Sequence, residues 1–153
     1  MVTENFSTRP SSVLFACNLN AIRSPIAEVL VRHFYGRSIT VDSVGVHKAD
    51  HIDPFAVAVM EEIGIDISGH KPKSFGELED TLFDLVVSLT PEAHHQAVEL
   101  ARTQRVELAY WPCRDPTAIE GGREQILQAY CELRDDLQKR IRQSFGPPPG
   151  STA

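Results

Sequence analysis

A cysteine, an arginine and a serine stand close together near the start of the chain, at Cys17, Arg23 and Ser24. A cysteine thiolate is a strong nucleophile, and an arginine guanidinium presents a planar fork of N–H donors to two oxygens of a phosphate-like group. Five residues separate the cysteine from the arginine, which is enough chain for a loop whose backbone N–H groups surround one point. This spacing predicts a thiolate that lies beneath a bound phosphoryl group and attacks it.

The flanking residues predict the elements that hold this loop. Val13 to Ala16 form a short apolar run that is typical of a buried parallel strand. Ser24 is a favourable helix N-cap, and Pro25 suits the first helical position because its missing N–H has no partner there. N–H groups that converge at a helix N-terminus bind an oxyanion, and together with the arginine they favour a thiolate at the base of the loop. The predicted phosphate-binding residues are Asn18, Leu19, Asn20, Ala21, Ile22 and Arg23.

Each of these residues also has an ordinary explanation. A single cysteine after an apolar run is usually a small buried hydrophobe, and an arginine near a helix start often pairs with a surface acid. The complete string between a strand and a capped helix is much rarer than either feature alone, which favours the oxyanion site.

Beyond the loop, helix patterns alternate with strand patterns. Helices are predicted from Pro25 to near Gly36, from the N-cap Asp53 and Pro54 to Gly64, from the N-cap Thr90 and Pro91 to about Thr103, and over Arg123 to Phe145. Strands are predicted at Val13 to Ala16, Ile39 to Val44, Leu82 to Leu89 and Val106 to Tyr110, with a short helical turn at Glu77 to Thr81. The alternation predicts an α/β fold, a single three-layer domain with an open parallel sheet of about four strands and helices on both faces.

The same topology predicts where a ligand binds. In open parallel sheets, ligands lie beyond the carboxyl ends of the strands. Cys17 follows the first predicted strand, and Asp115 lies on the long loop after the last one. We therefore expect Cys17 and Asp115 at the same edge of the sheet.

Composition and charge exclude several classes of protein. The 153 residues suit one domain with one substantial core, and a formal charge of −6 argues against a basic nucleic-acid surface. No apolar run approaches the ~20 residues of a membrane span, and the start of the chain lacks a basic-then-apolar export signal. The three cysteines match neither a disulfide framework nor a zinc site. We therefore expect a cytoplasmic protein in a reducing setting, with neither nucleic-acid nor membrane partners.

The two ends of the chain differ in composition from the middle. Residues 1–10 are polar and unpatterned, and we expect them to form a flexible arm before a folded domain over residues 11–145. The run Gly146-Pro147-Pro148-Pro149-Gly150 cannot continue a helix, which predicts a disordered tail over residues 146–153.

The stretch around the loop resembles a known family. Val13 to Glu28, which reads VLFACNLNAIRSPIAE, resembles the phosphate loop of the low-molecular-weight protein-tyrosine phosphatases and of their thioredoxin-coupled arsenate-reductase relatives. The likeness continues at residues 41–45, 64–70 and 83–87, and at Asp115-Pro116. It covers about residues 12–145 and implies a phosphatase-like domain that needs no cofactor.

The resemblance also implies a mechanism. Cys17 attacks phosphorus and forms a phosphocysteine, while Arg23 and the loop N–H groups hold the equatorial oxygens. Asp115 matches the family's general acid, which protonates the departing oxygen and then, as a base, activates water. Ser24 resembles the hydroxyl that supports the thiolate.

Further residues match positions that surround the family's loop. Asn20, Ser43 and His70 resemble a group that fixes the strained backbone of the loop, although ordinary loop hydrogen bonds explain Ser43 and His70 equally well. Asn20, Glu28, Ser43 and Asp66 match the residue types of the potassium site of the arsenate reductases. Glu28 and Asp66 would also be plausible as ordinary surface charges.

Two positions in and near the loop depart from the family pattern. Leu19 stands where the family usually has glycine, and a position that needs positive φ or close backbone approach would resist leucine. Ile22 replaces the second loop cysteine of many relatives. Cys113, on the loop expected to fold over Cys17, is the candidate redox partner instead, and a free, uninvolved thiol is the alternative.

Two further departures concern the substrate. Thr117-Ala118 stand where phosphatases that grip phosphotyrosine usually place aromatic residues. Residues 89–96 lack the two redox cysteines that the arsenate reductases carry there. The same segment contains His94-His95, which we interpret as solvated helix positions, because adjacent residues face different ways on a helix.

The sequence thus favours a cysteine-dependent phosphomonoester hydrolase of the protein-tyrosine-phosphatase type. Its expected partners are a phosphorylated protein or a small aryl phosphate as substrate, with inorganic phosphate or arsenate as a ligand. The alternatives are an arsenate reductase that uses an external thiol, and a catalytically weak phosphate-binding module.

Overall fold

The strand that leads into the loop, β1 (Ser12–Cys17), lies inside the sheet and is paired on both sides. Val13, Leu14, Phe15 and Ala16 are fully buried, as expected for a strand that is covered on both faces. The structure is a computed structural model that describes residues 9–78 and 82–149.

All strand pairs in the described residues are parallel. The other strands are β2 (Thr40–Gly45), β3 (Leu85–Ser88) and β4 (Glu107–Tyr110). The helices are α1 (Arg23–Tyr35), α2 (Pro54–Glu61), α3 (Pro91–Ala101) and α4 (Arg123–Phe145). The strand order is β2-β1-β3-β4, and α1, α2 and α3 lie in the three connections between consecutive strands. Short 3₁₀ turns occur at Gly36–Ser38, Phe75–Glu77 and Pro116–Ala118.

The two faces of the sheet bury different clusters. Val13, Phe15 and Cys17 pack on the face that α1, α2 and α4 cover. Leu14 and Ala16 pack on the opposite face, against α3. This alternation follows from the period-2 geometry of a strand. The predicted three-layer α/β fold with a parallel sheet is confirmed.

Two of the three predicted helix caps are present. The Asp53 carboxylate accepts a hydrogen bond from Phe55 N–H (2.8 Å), and the Thr90 hydroxyl accepts one from Ala93 N–H (3.1 Å). Ser24 is not an N-cap, because α1 begins one residue earlier, at Arg23. The Ser24 hydroxyl lies against the Cys17 sulfur instead.

The strand predicted over Leu82 to Leu89 is shorter than expected. Leu82 is 79% exposed, and β3 begins only at Leu85. Before Leu85, hydrogen bonds that involve side chains join this segment to the start of β1. Asp84 N–H donates to Ser12 Oγ, and the Asp84 carboxylate accepts from Ser11 N–H. The helical turn expected at Glu77 to Thr81 lies earlier, at Phe75–Glu77, and residues 79–81 lie outside the described residues.

Both adjacent histidines of α3 were predicted to be solvated, and for His94 this prediction is wrong. His94 is half-buried and stacks on Tyr110, with ring centroids 4.9 Å apart. His95 is exposed, as expected. The flat stack on an aromatic side chain of β4 explains why His94 turns toward the sheet.

The two ends of the described chain meet beside α4. Arg9 donates hydrogen bonds to the carbonyls of Phe145 (3.0 Å) and Pro147 (2.6 Å). Most of the predicted arm and half of the predicted tail, residues 1–8 and 150–153, lie outside the described residues. Among the helices that the structure describes, none has the length and apolar character to span a membrane.

Candidate oxyanion-binding and catalytic site

The loop between β1 and α1 turns its carbonyl groups away from the site. The next segment of the chain holds these carbonyls through its backbone N–H groups, in the pairs Val46–Cys17, His47–Asn18, Ala49–Leu19 and Asp53–Ala21, at 2.8–3.1 Å. Within the described parts of the chain, no protein oxygen accepts a hydrogen bond from the N–H groups of residues 18–22. These donors are therefore available to an anion.

Asn20 sets the shape of the loop. It is fully buried and has φ 54°, the one positive φ among the described residues other than glycine. Its amide nitrogen donates to Ser24 Oγ (2.8 Å) and Ser43 Oγ (2.9 Å), and its amide oxygen accepts from Lys73 N–H (2.9 Å) and lies 3.0 Å from His70 Nε2. The structure thus brings together Asn20, Ser43 and His70.

The left-handed residue is Asn20, and Leu19 keeps an ordinary backbone. A leucine in place of glycine at residue 19 was expected to resist a positive φ. Leu19 has no positive φ, so this strain is absent. Asparagine tolerates the left-handed region better than leucine, since its short side chain bonds locally.

A buried carboxylate lies behind Asn20. Glu28 is 5% exposed and accepts a hydrogen bond from Ser43 Oγ (2.5 Å). Arg32 Nη1 lies 2.6 Å from Glu28 Oε2, and His70 Nδ1 lies 3.9 Å from Glu28 Oε1. Burial lowers the pKa of His70, against the opposing effect of the Glu28 carboxylate. Neutral His70 donates from Nε2 to the Asn20 amide oxygen and lies beside Glu28 without a hydrogen bond to it.

The candidate cation residues are only partly assembled. Asn20, Ser43 and Glu28 form one hydrogen-bonded chain, and Arg32 already meets the charge of Glu28. Asp66 is exposed and accepts a hydrogen bond from Ser68 N–H. Residues 9–78 and 82–149 contain no group of three or more acids, histidines or cysteines placed to hold a metal ion. The potassium site stays a prediction.

Cys17 lies at the base of the loop and is 2% exposed. Its Sγ lies 2.9 Å from Ser24 Oγ, while Val44 O is 3.3 Å from the same hydroxyl. Ser24 is the second residue of α1 and points inward at Cys17, so it does not cap the helix. A thiolate can only accept, so the Ser24 hydroxyl donates to Cys17 in that state.

Asp115 shares a small cavity with Cys17 and Arg23. This cavity of about 60 Å³ is lined by Cys17, Leu19, Ala21, Ile22, Arg23, Asp115 and Thr117. Burial raises the pKa of Asp115, but hydrogen bonds from the Thr117 hydroxyl (2.6 Å) and N–H (2.9 Å), together with Arg23, outweigh it and leave the pKa below its usual value. Arg23 also donates to Cys113 O (3.3 Å), which ties the arginine to the Asp115 loop.

Cys113 is half-buried and donates its S–H to Trp111 O (3.3 Å). Burial, opposed by Arg23, raises the pKa of the Cys113 thiol to about 11, so it is protonated at neutral pH. The loop that carries it follows β4, and β3 lies between β4 and β1. The pairing of Cys113 with Cys17 stays a prediction.

Several residues that support the loop were not singled out from the sequence. Thr90 Oγ1, predicted only as a cap, also donates to Asn18 Oδ1 (2.7 Å). Lys73 N–H bonds to Asn20, and its carbonyl accepts from Gly45 N–H. An added Cβ at Gly45 would lie 2.2 Å from His47 O and 2.8 Å from Asn20 N. The position of Gly45 at a strand end is the one sequence signal for this close approach.

The residues that form this site lie within a match to a known protein family. Residues 12–145 match the family described as low molecular weight phosphotyrosine protein phosphatase. The chain belongs to this family. The match contains the whole loop, the residues behind Asn20 and Asp115.

Relatives of both reaction types are similar to the chain. An arsenate reductase of Halalkalibacterium halodurans is 33% identical over 130 residues, which cover 85% of this chain and 91% of the relative. The structure of the low molecular weight protein tyrosine phosphatase from T. tengcongensis aligns with a TM-score of 0.70 at 25% identity, over 86% of this chain and 95% of that one. An arsenate reductase in the phosphate binding state aligns with a TM-score of 0.67 at 28% identity, over 86% and 94%. The family and fold are thus established, and the choice of reaction depends on the chemistry of the site.

Gly45→Ala should disable the loop, because the new methyl group would meet backbone atoms that cannot move without shifting Asn20. A misplacement of about 1 Å in such a site costs about 100-fold, and we expect a loss of that order in the affinity for inorganic phosphate, measured by calorimetry. Gly76→Ala is the control, since its Cβ would meet nothing nearer than 4.0 Å. Undiminished phosphate affinity in Gly45→Ala would show that this close approach is not needed.

Proposed function

We propose that the protein is a cysteine-dependent phosphomonoester hydrolase, of the protein-tyrosine-phosphatase type, that works through a phosphocysteine on Cys17. The observation that carries this proposal is the single cavity lined by Cys17, Arg23 and Asp115. It provides a nucleophile, a cation for the phosphoryl oxygens and a proton donor within one small space. Hydrolysis needs these groups and water, and no second thiol.

In the first step, the Cys17 thiolate forms a bond to phosphorus while the bond to the ester oxygen breaks. The N–H groups of residues 18–22 and the Arg23 guanidinium hold the three other oxygens. Asp115 gives its proton to the departing oxygen, so that the alcohol leaves neutral. The dianionic substrate raises the pKa of the nearby Asp115 carboxyl, against the lowering by Thr117 and Arg23.

In the second step, Asp115 is a carboxylate and takes a proton from water, whose oxygen attacks phosphorus. The bond between phosphorus and Cys17 Sγ breaks, and the thiolate returns as the leaving group. The Ser24 hydroxyl, 2.9 Å from Sγ, stabilises the negative charge that returns to sulfur. Inorganic phosphate then leaves the loop. The expected substrates are phosphorylated proteins or small aryl phosphates.

The second candidate is an arsenate reductase that uses an external thiol. The similarity to arsenate reductases favours it, and arsenate resembles phosphate in shape and charge. Against an internal relay, Cys17 is the one cysteine among the residues that line the cavity. Reduction would then require an outside thiol to attack the sulfur–arsenic adduct on Cys17 and release arsenite, with the two thiols oxidised to a disulfide.

Steady-state assays with purified protein separate these functions. We expect hydrolysis of aryl phosphates without added thiol, with a high KM and weak preference for phosphotyrosine, because no aromatic wall supplies the ~0.5–1.5 kcal/mol of a ring pair. Cys17→Ser should abolish turnover and still bind phosphate, because the N–H groups and Arg23 remain. Arsenate reduction in the presence of glutathione or glutaredoxin, with no ester hydrolysis, would establish the second candidate. Phosphate binding without either reaction would identify a binding module.

The hydrogen bond from Thr117 to Asp115 should be visible in the pH profile. The acid form of Asp115 is needed for the first step, so kcat/KM for a poor leaving group falls as pH rises through the pKa of Asp115. Thr117→Val removes the hydroxyl donor, which raises this pKa and moves the descending limb to higher pH. Thr117→Ser keeps the donor and should keep the wild-type limb. A limb that persists in Asp115→Asn would rule out Asp115 as the acid, and a limb that is the same in Thr117→Val and wild type would show that the Thr117 hydroxyl does not lower this pKa.

A further inference from the structure

Leu19 is a large apolar side chain at the catalytic cavity that does not pack in the core. Its side chain is 50% exposed, and it lines the same cavity as Cys17, Arg23 and Asp115. Ile22, which also lines the cavity, packs against the hydrophobic core on the α1 face. Leu19 belongs to neither buried cluster of the described residues. Leu19 is therefore an exposed apolar side chain beside the proposed nucleophile.

The backbone around Leu19 fixes this exposure. Its carbonyl accepts a hydrogen bond from Ala49 N–H (3.0 Å), and the next residue, Asn20, is locked in the left-handed conformation. Behind it, Gly45 approaches so closely that an added Cβ would lie 2.9 Å from the Leu19 carbonyl carbon. The backbone of Leu19 is thus held between Ala49 and Gly45, and its side chain is half-exposed at the cavity.

No aromatic side chain takes this place in the described structure. The residues that line the cavity are aliphatic, polar or charged. Trp111, the chain's one tryptophan, is 2% exposed and packs between the rings of Phe15 and Phe145. It cannot reach a ligand in the loop. Among the cavity-lining residues, Leu19 and the partly buried Ile22 are the large apolar side chains, and Leu19 is the more exposed of the two.

We propose that Leu19 forms an apolar subsite for the hydrocarbon part of the leaving alcohol. This rests on the proposed hydrolase function and names its substrate class, phosphomonoesters of alcohols with a large apolar group next to the ester oxygen. Contact with such a group removes the exposed part of Leu19 from water, and the gain scales with the apolar area of the alcohol. Inorganic phosphate has no hydrocarbon part and gains nothing from Leu19.

The test compares aryl phosphates whose leaving groups have similar acidity and increasing apolar area, namely phenyl, 2-naphthyl and 4-tert-butylphenyl phosphate. In wild type, KM should fall along this series. In Leu19→Ala, the trend should flatten, with KM for the largest ester raised about three- to tenfold and by more than the inhibition constant of inorganic phosphate. Leu19→Met should restore the trend, and Val98→Ala, an exposed aliphatic position on α3, should keep it.

Two results would overturn the subsite. One is a KM trend that is the same in Leu19→Ala and wild type. The other is an equal rise in KM and in the phosphate inhibition constant, which would mean that Leu19 supports the loop and not the leaving group. If wild type hydrolyses no ester, the proposed function fails. The subsite is then tested by calorimetry with phenylphosphonate and 2-naphthylphosphonate, whose affinities should differ in wild type and not in Leu19→Ala; equal differences in both proteins would overturn it.

Discussion

The buried amide of Asn20 is the interaction on which the catalytic loop depends. A left-handed backbone costs an ordinary residue roughly 1–2 kcal/mol. The Asn20 side chain contacts Ser24, Ser43, Lys73 and His70, and each net hydrogen bond contributes about 0.5–1.5 kcal/mol. The bonds therefore outweigh the backbone cost. The reversal of the chain at this one residue lets the neighbouring N–H groups face a common point, while the carbonyls face the segment from Val46 to Asp53.

The hydrogen-bond partners of the Asn20 amide come from several elements of the fold. Ser43 comes from β2, Ser24 from the first turn of α1, and His70 and Lys73 from the loop after α2. Ser24 contacts both Asn20 and Cys17, so the residue that shapes the loop is one hydrogen bond away from the nucleophile. A change in the loop backbone therefore alters the hydrogen bond between Ser24 and the Cys17 sulfur. The same arrangement leaves Leu19 exposed beside the site.

The sequence predicted the architecture because apolar runs and capped helix starts are local signals, and because parallel strands place their following loops at one edge. It placed Cys17, Arg23 and Asp115 together for that reason. It was wrong about Ser24 as a cap, since a serine at a helix start can turn its hydroxyl inward when a buried sulfur and an amide lie there. It named Leu19 as the position where a positive φ would be resisted, whereas Asn20 has the positive φ, and it missed the close approach of Gly45, because both depend on contacts between segments distant in the chain. The start of β3 was misplaced for a similar reason, as the side-chain bonds of Asp84 end the ladder early.

The most direct test of this account measures the loop itself. Titration of 15N-labelled protein with inorganic phosphate should shift the backbone amide resonances of residues 18–22 strongly in wild type. Asn20→Ala should keep the dispersed spectrum of a folded protein and lose about 10- to 100-fold in phosphate affinity, the size of the loss when an outer partner of a metal ligand is removed. Asn18→Ala, which removes only the bond from Thr90, should lose much less. Phosphate binding by a folded Asn20→Ala protein with wild-type affinity and the same amide shifts would contradict the account, because the loop would then hold its shape without the Asn20 amide.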